Sequence, residues 1–398
     1  MRHLKNKLPK QPTIINSKLT IGFVLDDSLD SVAGVQQYVL TLGNWLQSQG
    51  HQVHYLTSLT RRTDLANLHS LSGNISIRVN GNRMRVPLPA SRTRIKQVLK
   101  ETDFDVLHVQ LPYTPLLAGR VILAAGPKTV IIGTFHMVPK SRFILQASRL
   151  LALMDYRTLK VLDQVFSVSP AANYFSRQIF HIYSQVIPDT IKITDFHNAK
   201  PLPSLKIPGR VRILFLGSLV QRKGCILLLQ AVLILRNKEN CPAFDLTVCG
   251  DGPLLEDLRR FVDDNKLGGV VYFTGFVAEA DKARYYASAD ITVLPSKGGE
   301  SFGIVLLEAM ASGRSAVIGG DNAGYRSIIG NCPDNCLFDP NDAAALASKL
   351  RILISDKAMR QRIASWQMQR AQAFDVEHIG PRIVDEYKIA LQRRRKVP

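Results

Sequence analysis

Gly298-Gly299-Glu300-Ser301-Phe302-Gly303-Ile304-Val305-Leu306-Leu307-Glu308-Ala309-Met310-Ala311-Ser312-Gly313 is the most informative stretch of the chain. It joins a flexible glycine turn, a loop carboxylate and a fresh helix start, with a second carboxylate two turns into that helix. A helix start presents unpaired N–H groups and a positive dipole end, which suit a phosphate. Glu300 and Glu308 can accept hydrogen bonds from hydroxyls beside that phosphate. One short segment can therefore hold a diphosphate, a ribose diol and a sugar. An ordinary amphipathic helix with Ile304, Leu307 and Met310 facing a core accounts for the apolar residues. It accounts for neither the glycines nor the glutamates.

Outward from this stretch, short apolar β-type runs alternate with helix-length amphipathic segments, the pattern of parallel α/β sheets. In the first half the expected strands are Thr20–Leu25, Gln52–Thr57, Val106–Val109, Thr129–Phe135 and Val165–Val168. Helices are expected near 35–49, 91–101, 116–125, 144–160 and 170–180. A polar, Pro-containing connector from Asn198 to Gly209 interrupts the pattern. A second series follows, with strands Val211–Leu216, Asp245–Cys249, Val270–Thr274, Ile291–Leu294 and Ala316–Ile318. Helices near 224–238, 254–266, 280–288, 303–312 and 342–355 separate them, and helical segments 357–372 and 376–394 close the chain. Two doubly wound sheets on a linker make a cleft, and such sheets bind ligands at the carboxyl ends of their strands.

The 398 residues suffice for two domains of ordinary size. An apolar fraction of 46% and a charged fraction of 21% are those of a globular protein. No apolar run reaches the ~18 residues of a spanning helix. Residues 1–18 are basic and lack the apolar core of a signal peptide, so a disordered basic arm is expected there. Cys225, Cys241, Cys249, Cys332 and Cys336 form no paired CxxC set, so neither a zinc site nor a disulfide framework is expected, and a reducing cytosol fits best. Formal net charge is +19, unevenly spread: residues 1–200 hold 24 Lys and Arg against 11 Asp and Glu. Between 61 and 100 nine basic residues face one acid, Asp64, a density that favours an anionic surface as partner. Aromatic residues are not interleaved as on a single-strand nucleic-acid platform, and nucleic acid is not expected as a partner.

The turn after the first strand, Asp26-Asp27-Ser28-Leu29-Asp30-Ser31-Val32-Ala33-Gly34, contains no GxGxxG, and Gly250-Asp251-Gly252-Pro253 lacks a third glycine. Both argue against hydride transfer to a nicotinamide dinucleotide. Gly34 precedes a helix and lets backbone approach a phosphate closely. His136 ends the strand Val130-Ile131-Ile132-Gly133-Thr134-Phe135 and so points toward the cleft. In Gly217-Ser218-Leu219-Val220-Gln221-Arg222-Lys223-Gly224, the two basic residues are placed to neutralise a diphosphate.

Taken together, Thr134-Phe135-His136, Arg222-Lys223-Gly224, Gly250-Asp251-Gly252-Pro253 and the Glu300/Glu308 segment occur in the order seen in retaining glycosyltransferases of the GT-B fold. The chain resembles family 4 of those enzymes over about residues 19–392, and within it the branch that mannosylates phosphatidylinositol. Ala33-Gly34-Val35-Gln36, Phe104-Asp105-Val106-Leu107-His108-Val109 and Ala289-Asp290 add to the likeness.

The resemblance implies an α/β protein with two Rossmann-like domains facing each other across a cleft: an acceptor domain over 19–198, a nucleotide-sugar domain over 199–375, and a last helix, 376–398, packing back on the first domain. It implies no tightly bound cofactor and no required divalent metal. The donor would be a nucleotide-diphosphate sugar, GDP-mannose first and a UDP-sugar second. Glu308 would hold the ribose hydroxyls, and Ser301, Phe302, Gly303, Ile304 and Val305 would bind phosphate or sugar. Glu300 would contact the transferred sugar, while Lys223 and Arg222 stabilise the departing diphosphate. Gly34, Ser218 and Gly250 would line the donor site, His136 would touch donor sugar and acceptor, and Gln36 the acceptor.

Lipid-modifying members dock on membranes through basic, partly apolar surface of the first domain. Here Arg92, Arg94, Lys96 and Lys100 flank Ile95, Val98 and Leu99, and Arg142, Arg149 and Arg157 punctuate the apolar 143–154 run. A lipid or glycan acceptor, an anionic cytoplasmic membrane face and a monomer or weak dimer are expected. Two departures from the family pattern stand out. Ser218 occupies a position usually held by arginine, and the usual Pro-Asn-Gly-Val reads Pro188-Asp189-Thr190-Ile191. Ser218 favours a second reading, an impaired homologue that acts as a binding or partner protein.

Overall fold

The computed structural model describes residues 18–31, 33–79, 82–138, 142–205 and 207–396, so all but the last residue of the expected N-terminal arm lies outside the described residues. In chain order the first half runs β1 (Thr20–Leu25), α1 (Gly34–Ser48), β2 (Gln52–Ser58), β3 (Leu68–Ser72), β4 (Asn74–Val79), β5 (Asn82–Pro87), α2 (Arg92–Thr102) and β6 (Val106–Gln110). It continues with α3 (Leu117–Ala124), β7 (Val130–Phe135), α4 (Arg142–Met154), α5 (Tyr156–Lys160), β8 (Gln164–Ser167), α6 (Pro170–Phe180), β9 (Gln185–Val186) and α7 (Ile193–His197). The second half holds β10 (Val211–Leu216), α8 (Cys225–Arg236), β11 (Phe244–Cys249), α9 (Leu255–Asp264), β12 (Val271–Gly275), α10 (Glu279–Ser288) and β13 (Ile291–Leu294). Then come α11 (Ile304–Ala311), β14 (Ala316–Gly320), α12 (Ala323–Ile329), β15 (Leu337–Phe338), α13 (Ala343–Ser355), α14 (Lys357–Ala371) and α15 (Val376–Arg395).

Two parallel sheets result, ordered β3-β2-β1-β6-β7-β8-β9 and β12-β11-β10-β13-β14-β15, with β4-β5 as a separate antiparallel hairpin. Central strands are apolar on both faces because helices cover both, as parallel sheets require. All six residues of β7 are buried, and Ile21 of β1 lies opposite Val53 of β2 and Val106 of β6. In each sheet the chain reverses direction of winding beside the first strand, β1 or β10, and this opens a crevice at the strand carboxyl ends.

The last helix does return to the first sheet. Ile191 bridges Asp375, after which Val376, Ile379, Ile383, Tyr387 and Leu391 of α15 enter the core formed by β1, α1 and β2. Trp45 Nε1 donates to Glu377 Oε2 at 2.9 Å, and the Tyr387 hydroxyl pairs with His108 Nδ1 at 2.7 Å. The first unit is thus completed by residues that follow the second in sequence.

Two expectations are corrected by the packing. The single helix expected over 144–160 breaks at Asp155, which is buried between α4 and α5; burial, with Asp26 nearby, pushes its carboxyl up to about 6. On α2, Arg92, Arg94, Lys96 and Lys100 are exposed, but Ile95 and Val98 are core residues with Leu99 packed against them. That helix offers a surface charge without apolar area. The side chains of Arg78, Arg83, Arg85 and Arg142 lie outside the described residues. Exposed apolar area lies instead on α4 and α5, where Leu150, Leu153, Met154 and Tyr156 stand in solvent beside exposed Arg149, Arg157 and Lys160. Among the described residues no helix is long and apolar enough to cross a membrane.

Candidate active site

The crevices of the two sheets face each other across a cavity of about 390 Å³. Each wall is built from residues just past strand ends. His136 follows β7, Gly217 and Ser218 follow β10, and Gly250 and Asp251 follow β11. Gly34, which opens α1, shares the first domain's wall with His136; a Cβ there would stand 3.5 Å from Ile304 Cγ2, so the two walls approach van der Waals contact at that point.

The loop after β10 is held by its backbone. Gln221–Lys223 form one 3-10 turn that ends at Gly224 with φ of 72°. A Cβ at Gly224 would lie 2.0 Å from the Pro295 carbonyl oxygen, so only glycine fits. Lys297 N donates to the Arg222 carbonyl at 2.8 Å, tying the loop to the end of β13. The side chains of Arg222 and Lys223 then project into the cleft.

Both meet Glu300. Arg222 Nη1 donates to Glu300 Oε1 at 2.6 Å, Lys223 Nζ at 2.8 Å and Ser296 Oγ at 2.8 Å. Burial opposes the carboxylate's charge, but Lys223 and Arg222, with hydrogen bonds from Lys223 and Ser296, bring its pKa down to about 2. Glu300 is therefore ionised at any working pH. Three donors on one oxygen fix the carboxylate's direction, and two cations against one anion leave the cleft net positive at this point.

Phe302 is turned inward, with its ring 5.6 Å from that of Phe374, and so anchors the loop rather than lining the cavity. Gly303, at φ of 112°, packs on the Tyr325 ring and caps α11; Ser301, Gly303, Ile304 and Val305 line the cleft. The helix start expected to receive phosphate does face the cavity.

Glu308 lies one step further along. It is buried and accepts from Lys282 Nζ at 3.5 Å and Tyr286 Oη at 3.3 Å. Burial pushes its carboxyl up, while Glu308 and Glu279 hold the Lys282 ammonium above its usual range against the opposing effect of burial. Glu308 borders an adjoining hollow of about 350 Å³, whose lining also includes Gln37, Thr41, Glu279 and Ile304. Ile304 lines both spaces, so they adjoin at the start of α11.

Of the residues singled out in the sequence, the cleft gathers Gly34, His136, Ser218, Arg222, Lys223, Gly250, Glu300, Ser301, Gly303, Ile304 and Val305. Gln36 is not among its lining: its Nε2 donates to Asp27 Oδ2 at 3.0 Å and the Ser28 carbonyl at 3.2 Å inside the first unit. The structure adds Lys282, which a sequence pattern alone does not single out, and Asp189, which the sequence marks only as a departure from the family pattern. A lysine on a mostly polar helix gives no signal; Asp189 gave a faint one, by standing where asparagine is usual. Among the described residues no group of three or more His, Cys, Asp or Glu is placed to hold a metal ion.

This geometry agrees with what known proteins resemble the chain. Residues 32–192 match the model for Glycosyltransferase Family 4, and residues 201–367 match that for Glycosyl transferases group 1. A phosphatidyl-myo-inositol mannosyltransferase from Mycolicibacterium smegmatis is 31% identical over 376 residues, covering 93% of this chain and 94% of that one. An alpha-monoglucosyldiacylglycerol synthase from Streptococcus pneumoniae is 25% identical over 389 residues, 94% of this chain and 86% of that one. A sucrose-phosphate synthase from Thermosynechococcus elongatus superposes with a TM-score of 0.73 at 20% identity, covering 94% of this chain and 100% of the other. Two facing doubly wound sheets, a cationic loop beside a helix start, and relatives matching over nearly the whole length lead to one assignment: the chain belongs to glycosyltransferase family 4 and has the GT-B fold.

Proposed function

We propose that the protein is a retaining hexosyltransferase. It transfers mannose from GDP-mannose, or another hexose from a UDP-sugar, to a phosphatidylinositol-like lipid or a glycan at the cytoplasmic membrane face. The observation that carries this is the Arg222–Lys223–Glu300 triad beside the start of α11. In this reading residues 199–375 hold the donor and residues 19–198 receive the acceptor. The diphosphate lies between the α11 amides and the two cations, the ribose diol reaches Glu308, and Glu300 accepts hydrogen bonds from the sugar hydroxyls through the oxygen turned from its three donors.

As the bond from the sugar's anomeric carbon to phosphate breaks, negative charge builds on the leaving diphosphate. Lys223 and Arg222 stabilise that charge from fixed positions, which is the largest catalytic term such a site supplies. The acceptor oxygen bonds to the same carbon on the same face, and its proton passes to the leaving phosphate. Thermal-shift measurements with nucleoside diphosphates and their sugars test the donor assignment. A ligand at a hundredfold over its Kd stabilises the native state by about 2.7 kcal/mol. GDP and GDP-mannose are expected to raise the midpoint most; no response to any nucleoside diphosphate would contradict the reading.

Docking on the membrane is assigned to α4 and α5, where exposed apolar side chains and basic residues occur together. In sedimentation with anionic vesicles, Leu153→Glu with Met154→Glu should cut binding at least tenfold, since each buried side chain of this size contributes about 1.5–3 kcal/mol. Unchanged binding by that variant would remove α4 from the interface. Ser218, uncharged at the cleft wall, is the observation favouring the second reading, an impaired homologue that binds nucleotide-sugar as a partner protein.

A further inference from the structure

Of the five cysteines, two share a single turn away from the cleft. Cys332-Pro333-Asp334-Asn335-Cys336 links the end of α12 to β15. Pro333 presets the backbone angle that the second position of a turn needs. Asn335 takes the left-handed conformation that asparagine tolerates, with φ of 48°. The turn closes where Asn335 N donates to the Cys332 carbonyl at 3.0 Å. Both ends are tied down. Cys332 N donates to the Ile329 carbonyl at 3.0 Å, and the Cys336 carbonyl accepts from Gly319 N of β14 at 3.0 Å. Lys349 of α13 adds a third anchor by donating from Nζ to the Asn335 carbonyl.

This loop brings the two sulfurs together and makes them unlike. The Cys336 thiol donates to the Cys332 sulfur, and backbone N–H groups of Asp334 and Cys336 turn toward it as well. These bonds, that of Cys336 foremost, hold the Cys332 thiol below its usual range against the opposing effect of burial. Cys336 is pushed up, first by the same hydrogen bond and then by burial. The Lys349 ammonium lies close enough to feel both sulfurs. Cys332 is 7% exposed and Cys336 1%, so the more accessible thiol is the one poised to ionise. Gly330, Asn331, Asn335 and Leu337, which flank them, line an open hollow of about 580 Å³ that admits a small reagent to the loop. Among the described residues no group of three or more His, Cys, Asp or Glu is placed to make this a metal site.

We propose that Cys332 and Cys336 are a reversible redox pair, oxidised by a peroxide and restored by a dithiol, with Cys332 attacking and Cys336 resolving. The Cys332 thiolate attacks one oxygen of hydrogen peroxide. The O–O bond breaks and hydroxide leaves, taking up the proton that Cys332 had released, and Cys332 becomes a sulfenic acid. Cys336 then gives up its proton as its sulfur bonds to that of Cys332, the S–O bond breaks, and water leaves. Two thiols and one peroxide become one disulfide and two waters. In a reducing compartment the pair rests as the dithiol. Once formed, the bond staples the end of α12 to β15. This inference is independent of the donor reading of the cleft.

Trypsin cleavage after Arg326 and Lys349 puts both cysteines, and no other, on the peptide 327–349. The full chain is treated with graded hydrogen peroxide, alkylated in denaturant with iodoacetamide, digested and mapped by mass. The expected product is that peptide lighter by two hydrogens and free of alkyl groups. Dithiothreitol added before the alkylation should restore both alkyl groups. Cys241 is the internal control, because it is half-buried while the other four cysteines are buried. Access alone would oxidise Cys241 first. The pair should instead react faster by about tenfold or more, because the thiolate is the nucleophile. In Cys336→Ser the reaction should stop at a sulfenic acid on Cys332 that dimedone captures, and in Cys332→Ser Cys336 should react no faster than Cys241. A wild-type peptide still alkylated at both cysteines when Cys241 is already oxidised would overturn the proposal, as would capture of the sulfenic acid at Cys336. The wild-type map needs neither variant nor sugar transfer, so it decides the pair whatever the cleft does.

Discussion

Replacing Lys223 with alanine should lower kcat/KM for sugar transfer by roughly 10²–10³-fold, the cost of removing one preorganised group aimed at charge that grows in the transition state. The size follows from its position. Lys223 is mostly buried, its ammonium is held 2.8 Å from Glu300 Oε1, and the loop that carries it is fixed by Gly224 and by the bond from Lys297 N. Little reorganisation is needed when the donor arrives. The fold should survive, because Glu300 keeps Arg222 and Ser296 on the same oxygen. Steady-state kinetics with a thermal melt on the same sample check both halves. Lys223→Arg should recover only part of the loss, since a planar fork does not reproduce a compact ammonium. A drop of less than about fivefold for alanine would move the diphosphate away from this loop.

Phe302→Ala should destabilise the protein by about 3–5 kcal/mol, the usual cost of emptying a buried aromatic site. Phe302 is 2% exposed and packs edge-on against Phe374, whose ring in turn lies under Arg370 at 4.8 Å. It anchors the loop between Glu300 and the start of α11. The same substitution should therefore loosen Glu300 and raise donor KM, even though the side chain never touches the cavity. Denaturant unfolding reads the first effect, and donor titration below the unfolding midpoint reads the second. Full stability with weakened donor binding would mean that Phe302 contacts the donor directly, against the packing found here.

Much of this was legible from residue order. Apolar runs such as Val130-Ile131-Ile132 mark central strands, because a parallel sheet buries both faces. The short elements were not. β3, β9, β15, α7 and α12 are two to seven residues long and carry too few positions for a period to register. The β4–β5 hairpin, rich in arginine, carries no long apolar run to mark it. Gln36 shows the other limit: the resemblance implies the acceptor for it, while its Nε2 donates to Asp27 Oδ2 and the Ser28 carbonyl within the first unit. α2 shows why charge interleaved with apolar residues does not establish a membrane face: Ile95 and Val98 point inward. Lys282 became visible only when tertiary contacts placed it beside Glu308, and the departure at Asp189 gains a place in the cleft only from its closeness to His136.

The site also joins elements far apart in sequence. Arg222 and Lys223 depend on the Pro295–Lys297 turn for position, and Glu300 depends on Phe302 and Phe374 for support. The N-terminal wall depends on α15, since Tyr387 from the last helix pairs with His108, two residues before Gln110, whose Oε1 meets His136 Nε2. Changes at the end of the chain can therefore reach the first domain's side of the cleft through packing.

The most direct measurement is transfer of labelled sugar from GDP-mannose into phosphatidylinositol-containing vesicles, with the anomeric configuration of the product read by NMR and Lys223→Ala as the control. The expected result is an α-linked mannolipid from wild type and a rate at least a hundredfold lower from the variant. Wild type that binds nucleotide yet transfers no sugar from either GDP-mannose or UDP-glucose, or that turns over no faster than Lys223→Ala, would contradict catalysis at this cleft.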